Sequence, residues 1–260
     1  MEKTKIEWCN SSWNPITGCR HNCPYCYARR IATRYKGCDL SPDGSGCGEL
    51  VVLKEQLKVT RGNPPKTINA AYPYGFTPTL HEYRLGDLKK KRFGETIFVG
   101  SMSDIFGEWV PDEWIEQIFA ACLEAPEHRY MFLTKNPERY LCLAEAGKLP
   151  SPDNFWYGST ATGPDDQIFF TPNYRTFISV EPLLQPFGRC KAMPELRTTD
   201  LVIIGAETGN QANKVVPERA WIEELVAFSE EAGCAVFMKD SLKPIWGDDI
   251  ITQLPWKQTT

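Results

Sequence analysis

The feature that most limits the fold of this chain is a rhythm: a short apolar run, a few polar residues, then a helical pattern. Apolar runs predict strands at about 13–18, 96–101, 129–134, 155–159, 175–180, 201–206 and 234–239. Tyr130-Met131-Phe132-Leu133 and Leu201-Val202-Ile203-Ile204 are apolar throughout, as strands buried on both faces are. Helical patterns separate the runs. Behind Pro111, the residues Ile115, Ile118, Phe119 and Cys122 share one helical face. Asn136 and Pro137 read as a cap and a first-turn proline, with Gly147 as the stop. Pro217 opens a helix that carries Trp221, Leu225 and Phe228 and ends at Gly233. Such alternation predicts βα units around a parallel sheet, in one α/β domain over residues 1–260. Residues 37–80 break the rhythm with Gly, Pro and a turn-rich Ser41–Gly46 stretch. They read as an insertion after the first helix, with a short strand near 50–60, serving as substrate contact, lid or plain loop.

Ten cysteines is a high count, and six of them fall between Cys9 and Cys47. The first residues lack the apolar core of a signal peptide, and no apolar run is long enough to span a bilayer. A cytoplasmic protein is therefore the expectation, and in that setting clustered cysteines point to metal binding or reactivity rather than disulfides. Cys122, Cys142 and Cys234 read as small buried hydrophobes. Cys38 and Cys47 flank the turn-rich insertion and carry no clear signal.

The dense part of the cluster is Cys19, Cys23 and Cys26, just after the first strand and just before a helix beginning near Tyr27. Three thiolates this close can converge on one metal centre. A structural zinc site usually takes four protein ligands, whereas a catalytic centre keeps a position open. An iron–sulfur cube held by three cysteines leaves one iron free for another ligand. The competing reading is a zinc or redox site with Cys9, Cys38 or His21 as the fourth ligand.

Polar groups recur where strands end, the place where βα barrels build their sites. They are Gly100, Ser101, Ser103 and Asp104; then Thr134 and Lys135; then Ser159 and Thr160; then Ser179 and Glu181; then Glu207; and finally Lys239. Carboxylates there can bind amino or hydroxyl groups, and the lysines can meet a carboxylate or phosphate. Glycines let a ligand approach the backbone. Any one of these groups alone would read as a helix cap. Trp8, Trp13, Tyr25 and Tyr27 surround the cysteines and read first as core, second as stacking surfaces.

The net charge of -4 excludes a protein that coats nucleic acid over its whole surface. It leaves room for a local basic groove. Two candidates are Lys89–Arg92 and the set Arg29, Arg30, Arg34 and Lys36, each of which reads by default as a solvated face.

The C-x-x-x-C-x-x-C spacing, with Tyr25 before the last cysteine, resembles the signature of radical S-adenosylmethionine (SAM) enzymes. The segments Trp13–Cys19, Phe98–Asp104, Phe132–Arg139, Ser179–Leu184, Ile204–Gly209 and Val236–Lys239 further resemble a phage- and prophage-associated family of that superfamily, labelled as a domain of unknown function. The likeness spans nearly the whole chain. It implies an open, partial βα barrel of about six parallel strands. It also implies a 4Fe-4S cluster on Cys19, Cys23 and Cys26, with SAM on its open iron. One electron, from a reducing partner such as flavodoxin or ferredoxin, then yields a 5′-deoxyadenosyl radical that takes hydrogen from a substrate.

The expected cofactor-binding residues are Tyr25, Gly100, Ser101, Ser103, Asp104, Thr134, Lys135 and Ser159, with Asp104 near the SAM methionine. Glu181, Glu207 and Lys239 are the expected catalytic residues. The phage setting implies a nucleobase, nucleotide or DNA substrate. A peptide or small metabolite, and a metal-stabilised binding protein without turnover, are the alternatives. Two departures bear on the substrate: Lys214 stands in a stretch where relatives carry Arg, and the Cys38–Cys47 insertion is peculiar to this chain's subgroup. The sequence leaves oligomeric state open.

Overall fold

The computed structural model describes residues 2–35, 50–90, 93–188, 199–208 and 214–257. The insertion's Cys38 and Cys47, along with Lys36, Lys91, Arg92 and residues 209–213, lie outside the described residues.

Eight strands form the main sheet, in the spatial order β1 (Glu2–Lys3), β2 (Ser11–Trp13), β8 (Thr96–Val99), β9 (Arg129–Thr134), β10 (Phe155–Thr160), β11 (Arg175–Val180), β12 (Leu201–Ile204) and β13 (Ala235–Met238). Strand β1 pairs antiparallel with β2, and all the other pairs are parallel. The sheet curls into an open half-barrel of seven parallel strands, where the sequence reading expected about six. The seven parallel strands answer to the seven apolar runs, and the first of those runs splits. Ser11–Trp13 joins the main sheet, and the chain then breaks at Pro15, which has no N–H for the ladder. Past the break, β3 (Ile16–Thr17) leaves for a small second sheet with β7 (Thr79–His81) and β4 (Val51–Leu53).

The alternation of side chains explains why these strands are apolar throughout. Ile97, Val99, Tyr130, Phe132, Phe155 and Tyr157 face outward, onto α2 (Asp112–Leu123) and α3 (Glu138–Glu145). Ile178, Val180, Val202, Ile204, Val236 and Met238 face outward onto α4 (Arg219–Glu231). The alternate residues, among them Phe98, Met131, Trp156, Phe177, Ile203 and Phe237, fill the concave side together with Trp8. That inner cluster is the floor on which the site stands.

Helix α2 starts behind Pro111, and α4 gives way at Gly233, whose φ of +72° suits a glycine stop. Three expectations are corrected. Asn136 does not cap α3; its side-chain amide donates to the Phe106 carbonyl instead (2.9 Å). No helix lies between β10 and β11: residues 161–174 cross without one, and buried Phe169 fills the helix's place against Tyr140 and Tyr157. Cys142 is exposed, whereas Cys122 and Cys234 are buried as expected.

The insertion carries more structure than the single short strand expected near 50–60. Besides β4 and β7 it holds a hairpin, β5 (Lys58–Arg61) with β6 (Lys66–Asn69). No helix among the described residues is long and apolar enough to cross a membrane.

Strand β10 carries Gly158 on its inner face, where an added Cβ would overlap the Phe177 ring. Gly158→Ala should therefore destabilise the fold by about 1–3 kcal/mol through overpacking, read as a lower urea midpoint at unchanged m. An unchanged midpoint would contradict this packing.

Candidate functional site

A cavity of about 240 Å³ opens at the C-terminal ends of the parallel strands. Cys19, Cys23 and Cys26 border it on one side, and Glu181, Glu207 and Lys239 on the other. Tyr25, Gly100, Ser101, Ser103, Asp104, Thr134 and Lys135 also line it. Of the residues expected from sequence, only Ser159 turns away. Its hydroxyl accepts from the Phe169 N–H (2.8 Å) behind the sheet, and the next residue, Thr160, faces the cavity instead. A one-residue step along a strand reverses the face.

The cysteine loop is held from three directions. Gly18 (φ +90°) passes so close to the Phe76 and Thr77 carbonyls that a Cβ would collide with them. Its N–H donates to the Met102 carbonyl (3.0 Å), and Cys19 N–H donates to Phe76 O (3.3 Å). Arg29 donates to the Cys19 carbonyl (3.2 Å) and lies over the Phe76 ring (4.7 Å). The insertion thus buttresses the loop. Cys26 is the N-cap of α1 (Tyr27–Arg34), its sulfur accepting from the Arg29 N–H (3.3 Å).

Asp104 is the hub of the near wall. Its carboxylate, 6% exposed, pairs with His21 Nε2 (2.8 Å) and accepts from Thr134 Oγ1 (2.8 Å), Lys135 N–H (2.9 Å) and Phe106 N–H (3.0 Å). Burial alone would raise its pKa. The bonds from His21, Lys135 and Thr134, with the charge of His21, outweigh that and hold it below the usual 3.8. Asp104 therefore organises the site and has no oxygen to spare for a ligand, and Thr134 is engaged with it. The adjoining turn is tied down too: Asn14 Oδ1 accepts from Ser101 Oγ (3.1 Å) and Met102 N–H (2.9 Å). Tyr25 lies beneath Lys135 Nζ (5.7 Å). Tyr27 sends its hydroxyl inward to the Ser101 carbonyl (2.7 Å), and burial raises its pKa.

Burial pushes the Cys19 thiol up to about 12, against a bond from the His21 backbone, with Asp104, Cys23 and Cys26 adding to the rise. Such a thiol stays protonated in an empty site, and a cationic centre is what would favour its thiolate. Among the described residues no group of three or more His, Cys, Asp and Glu side chains converges on a point that could hold a metal ion. A single tetrahedral ion would need its sulfurs only about 3.8 Å apart, from a metal–sulfur bond of about 2.3 Å. A cube asks for wider spacing, since each thiolate binds a different corner. The donor set matches it in number. His21 is turned to Asp104, and Cys9 donates to the Ile6 carbonyl (3.8 Å) outside the cavity lining, which leaves three thiols bordering it.

On the far wall Lys239 Nζ donates to Glu181 Oε1 across Gly205, where a Cβ would crowd both side chains. Glu207 Oε2 is buried without a hydrogen-bond partner, as is Trp8 Nε1. Trp8 is buried as a core residue and also lines the cavity, so both of its expected roles meet in one side chain. A larger open depression, about 1330 Å³, lies at the opposite end of the strands around Arg175 and Asp200, which pair with each other (3.0 Å).

The fold and site define a class: an open βα half-barrel with a three-cysteine loop at the mouth of a polar cavity. The chain belongs to the family described as Protein of unknown function (DUF5131), whose model matches residues 3–249. No curated protein and no solved structure matches it.

Asp104→Asn should cost about 2–4 kcal/mol at neutral pH, because charge-assisted bonds are lost inside the fold. A depressed carboxylate pKa contributes stability above the unfolded value and loses it as pH falls through the folded one. The gap between parent and variant urea midpoints should then be constant above about pH 4 and close on further acidification. A gap that widened on acidification would contradict Asp104 as an ionised hub.

Proposed function

We propose that this protein is a radical SAM enzyme, with a 4Fe-4S cluster on Cys19, Cys23 and Cys26 and SAM in the adjoining cavity. The observation that carries the reading is the count of available thiols: three border the cavity, while the loop's histidine is spoken for by Asp104. A cluster bound there supplies one-electron cleavage of SAM and, through it, hydrogen-atom abstraction from a substrate.

The chain's own residues have separable tasks in this reading. The Asp104–His21 pair holds the cysteine loop against β8 and β9. Ser101, Ser103 and the backbone at Gly100 offer polar contacts beside the cysteines, and the Ser103 hydroxyl is buried without a partner. Thr160 and Ser179 add hydroxyls deeper in the cavity. Glu181, Lys239 and Glu207 face the cavity from the far wall, suited to orienting a substrate and holding protons there. The apolar floor of Trp8, Phe98 and Leu133 keeps water from the reacting atoms.

The test is anaerobic reconstitution with iron and sulfide, followed by reduction with dithionite in the presence of SAM. The parent should accumulate 5′-deoxyadenosine. Cys19→Ala, Cys23→Ala and Cys26→Ala should each lose bound iron and bring that product to background. If reduced, iron-loaded parent makes no 5′-deoxyadenosine, or if all three variants keep the parent's iron content, the reading fails.

A further inference from the structure

We propose that the substrate is a single-stranded nucleic acid, docked along the outer face of α1 with one base reaching into the cavity. This rests on the reading of that cavity as the reaction site.

The first support is the distribution of charge. The chain carries a net charge of -4, yet residues 19–35 hold four arginines and no carboxylate. Residues 50–81 hold three lysines and Arg61 against Glu55 alone, with Lys58 and Lys66 exposed on the β5–β6 hairpin. In the other basic run visible in the sequence, the two described lysines are paired: Lys89 with Glu124 (2.7 Å) and Lys90 with Asp87 (2.5 Å). Arg30 and Arg34 are exposed, and among the described residues neither makes an ion pair.

Placement is the second support. Tyr27, Arg30, Ile31 and Arg34 are all exposed and follow helical spacing, so they form one outward stripe, with Tyr35 beside Arg34 (5.5 Å). Tyr27 and Arg30 also line the cavity, which makes the stripe continuous with its mouth. Arginines interleaved with exposed aromatics bind a strand through phosphates and base faces together. Arg30 and Arg34 are offset by about 6 Å along the axis, enough to engage successive phosphates rather than one. A free nucleotide would leave Arg34 unused.

The cavity interior supplies the third. Trp8 Nε1 is a buried donor and Glu207 Oε2 a buried acceptor, and neither has a partner. Leaving such groups unsatisfied costs about 1–3 kcal/mol each. Both residues line the cavity, and the Watson–Crick edge of a base presents both a donor and an acceptor, so a base entering the cavity can answer groups of both kinds. A base stacked in a duplex cannot reach such a recess, whereas an unpaired strand can offer one at small cost.

The test is fluorescence anisotropy with a labelled single-stranded DNA of mixed sequence and its RNA counterpart, at several salt concentrations. The full chain should bind, with affinity falling as salt rises. Arg30→Ala/Arg34→Ala should weaken binding about tenfold or more and lower the salt slope by about 1–2. Arg30→Gln/Arg34→Gln, which keeps helix propensity, should do the same, and Lys89→Ala/Lys90→Ala should bind as the parent does. Absence of strand binding would overturn the proposal. So would arginine variants that bind like the parent, or a mononucleotide that competes as well as the strand does. Strand binding without SAM cleavage would sink the radical reading and leave this docking face standing; cleavage without strand binding would do the reverse.

Discussion

The Asp104 carboxylate gathers donors from three pieces of chain that are far apart in sequence: His21 in the cysteine loop, Thr134 and Lys135 at the end of β9, and Phe106 in its own turn. A buried carboxylate is tolerable only when its lone pairs are filled. The three pieces are therefore held to one arrangement, and a displaced loop would leave a charge stranded in an apolar wall. The bridge from Gly18 to Ser103 and the bonds to Asn14 keep the same loop and turn in register from the other side. The position of the three thiols relative to the barrel follows from this clamp more than from any property of the cysteines.

The strands were legible because each is buried on both faces and so reads as an unbroken apolar run. That same property hides which face a residue takes at a strand's end. Ser159 and Thr160 are both small hydroxyl residues, and nothing local says that Phe169 will claim the first. The split of the first strand was written in Pro15, a residue the apolar run overshadowed. Asp104 was visible as an acid at a strand end, but its donors stand 83 and 30 residues away, so sequence proximity suggested a ligand contact where packing made a hub. The Glu181–Lys239 pair was legible as two charged residues and illegible as a pair, since it spans β12 and depends on the absence of a side chain at Gly205.

The insertion shows a different limit. Its glycines and prolines announce turns, and turns alone do not announce contacts. Phe76, at the far end of that stretch, forms a cavity wall and supports Arg29, while its carbonyl holds Cys19. A segment that breaks the βα rhythm thus completes the site that the rhythm builds.

Helix α1 joins two electrostatic surroundings. At its N-cap, Cys26 belongs to a wall where burial disfavours the thiolate of Cys19. One and two turns on, Arg30 and Arg34 face solvent. Ala28 and Ala32 pack the helix inward, and Arg29 ties it to the cysteine loop, so its two ends cannot move independently.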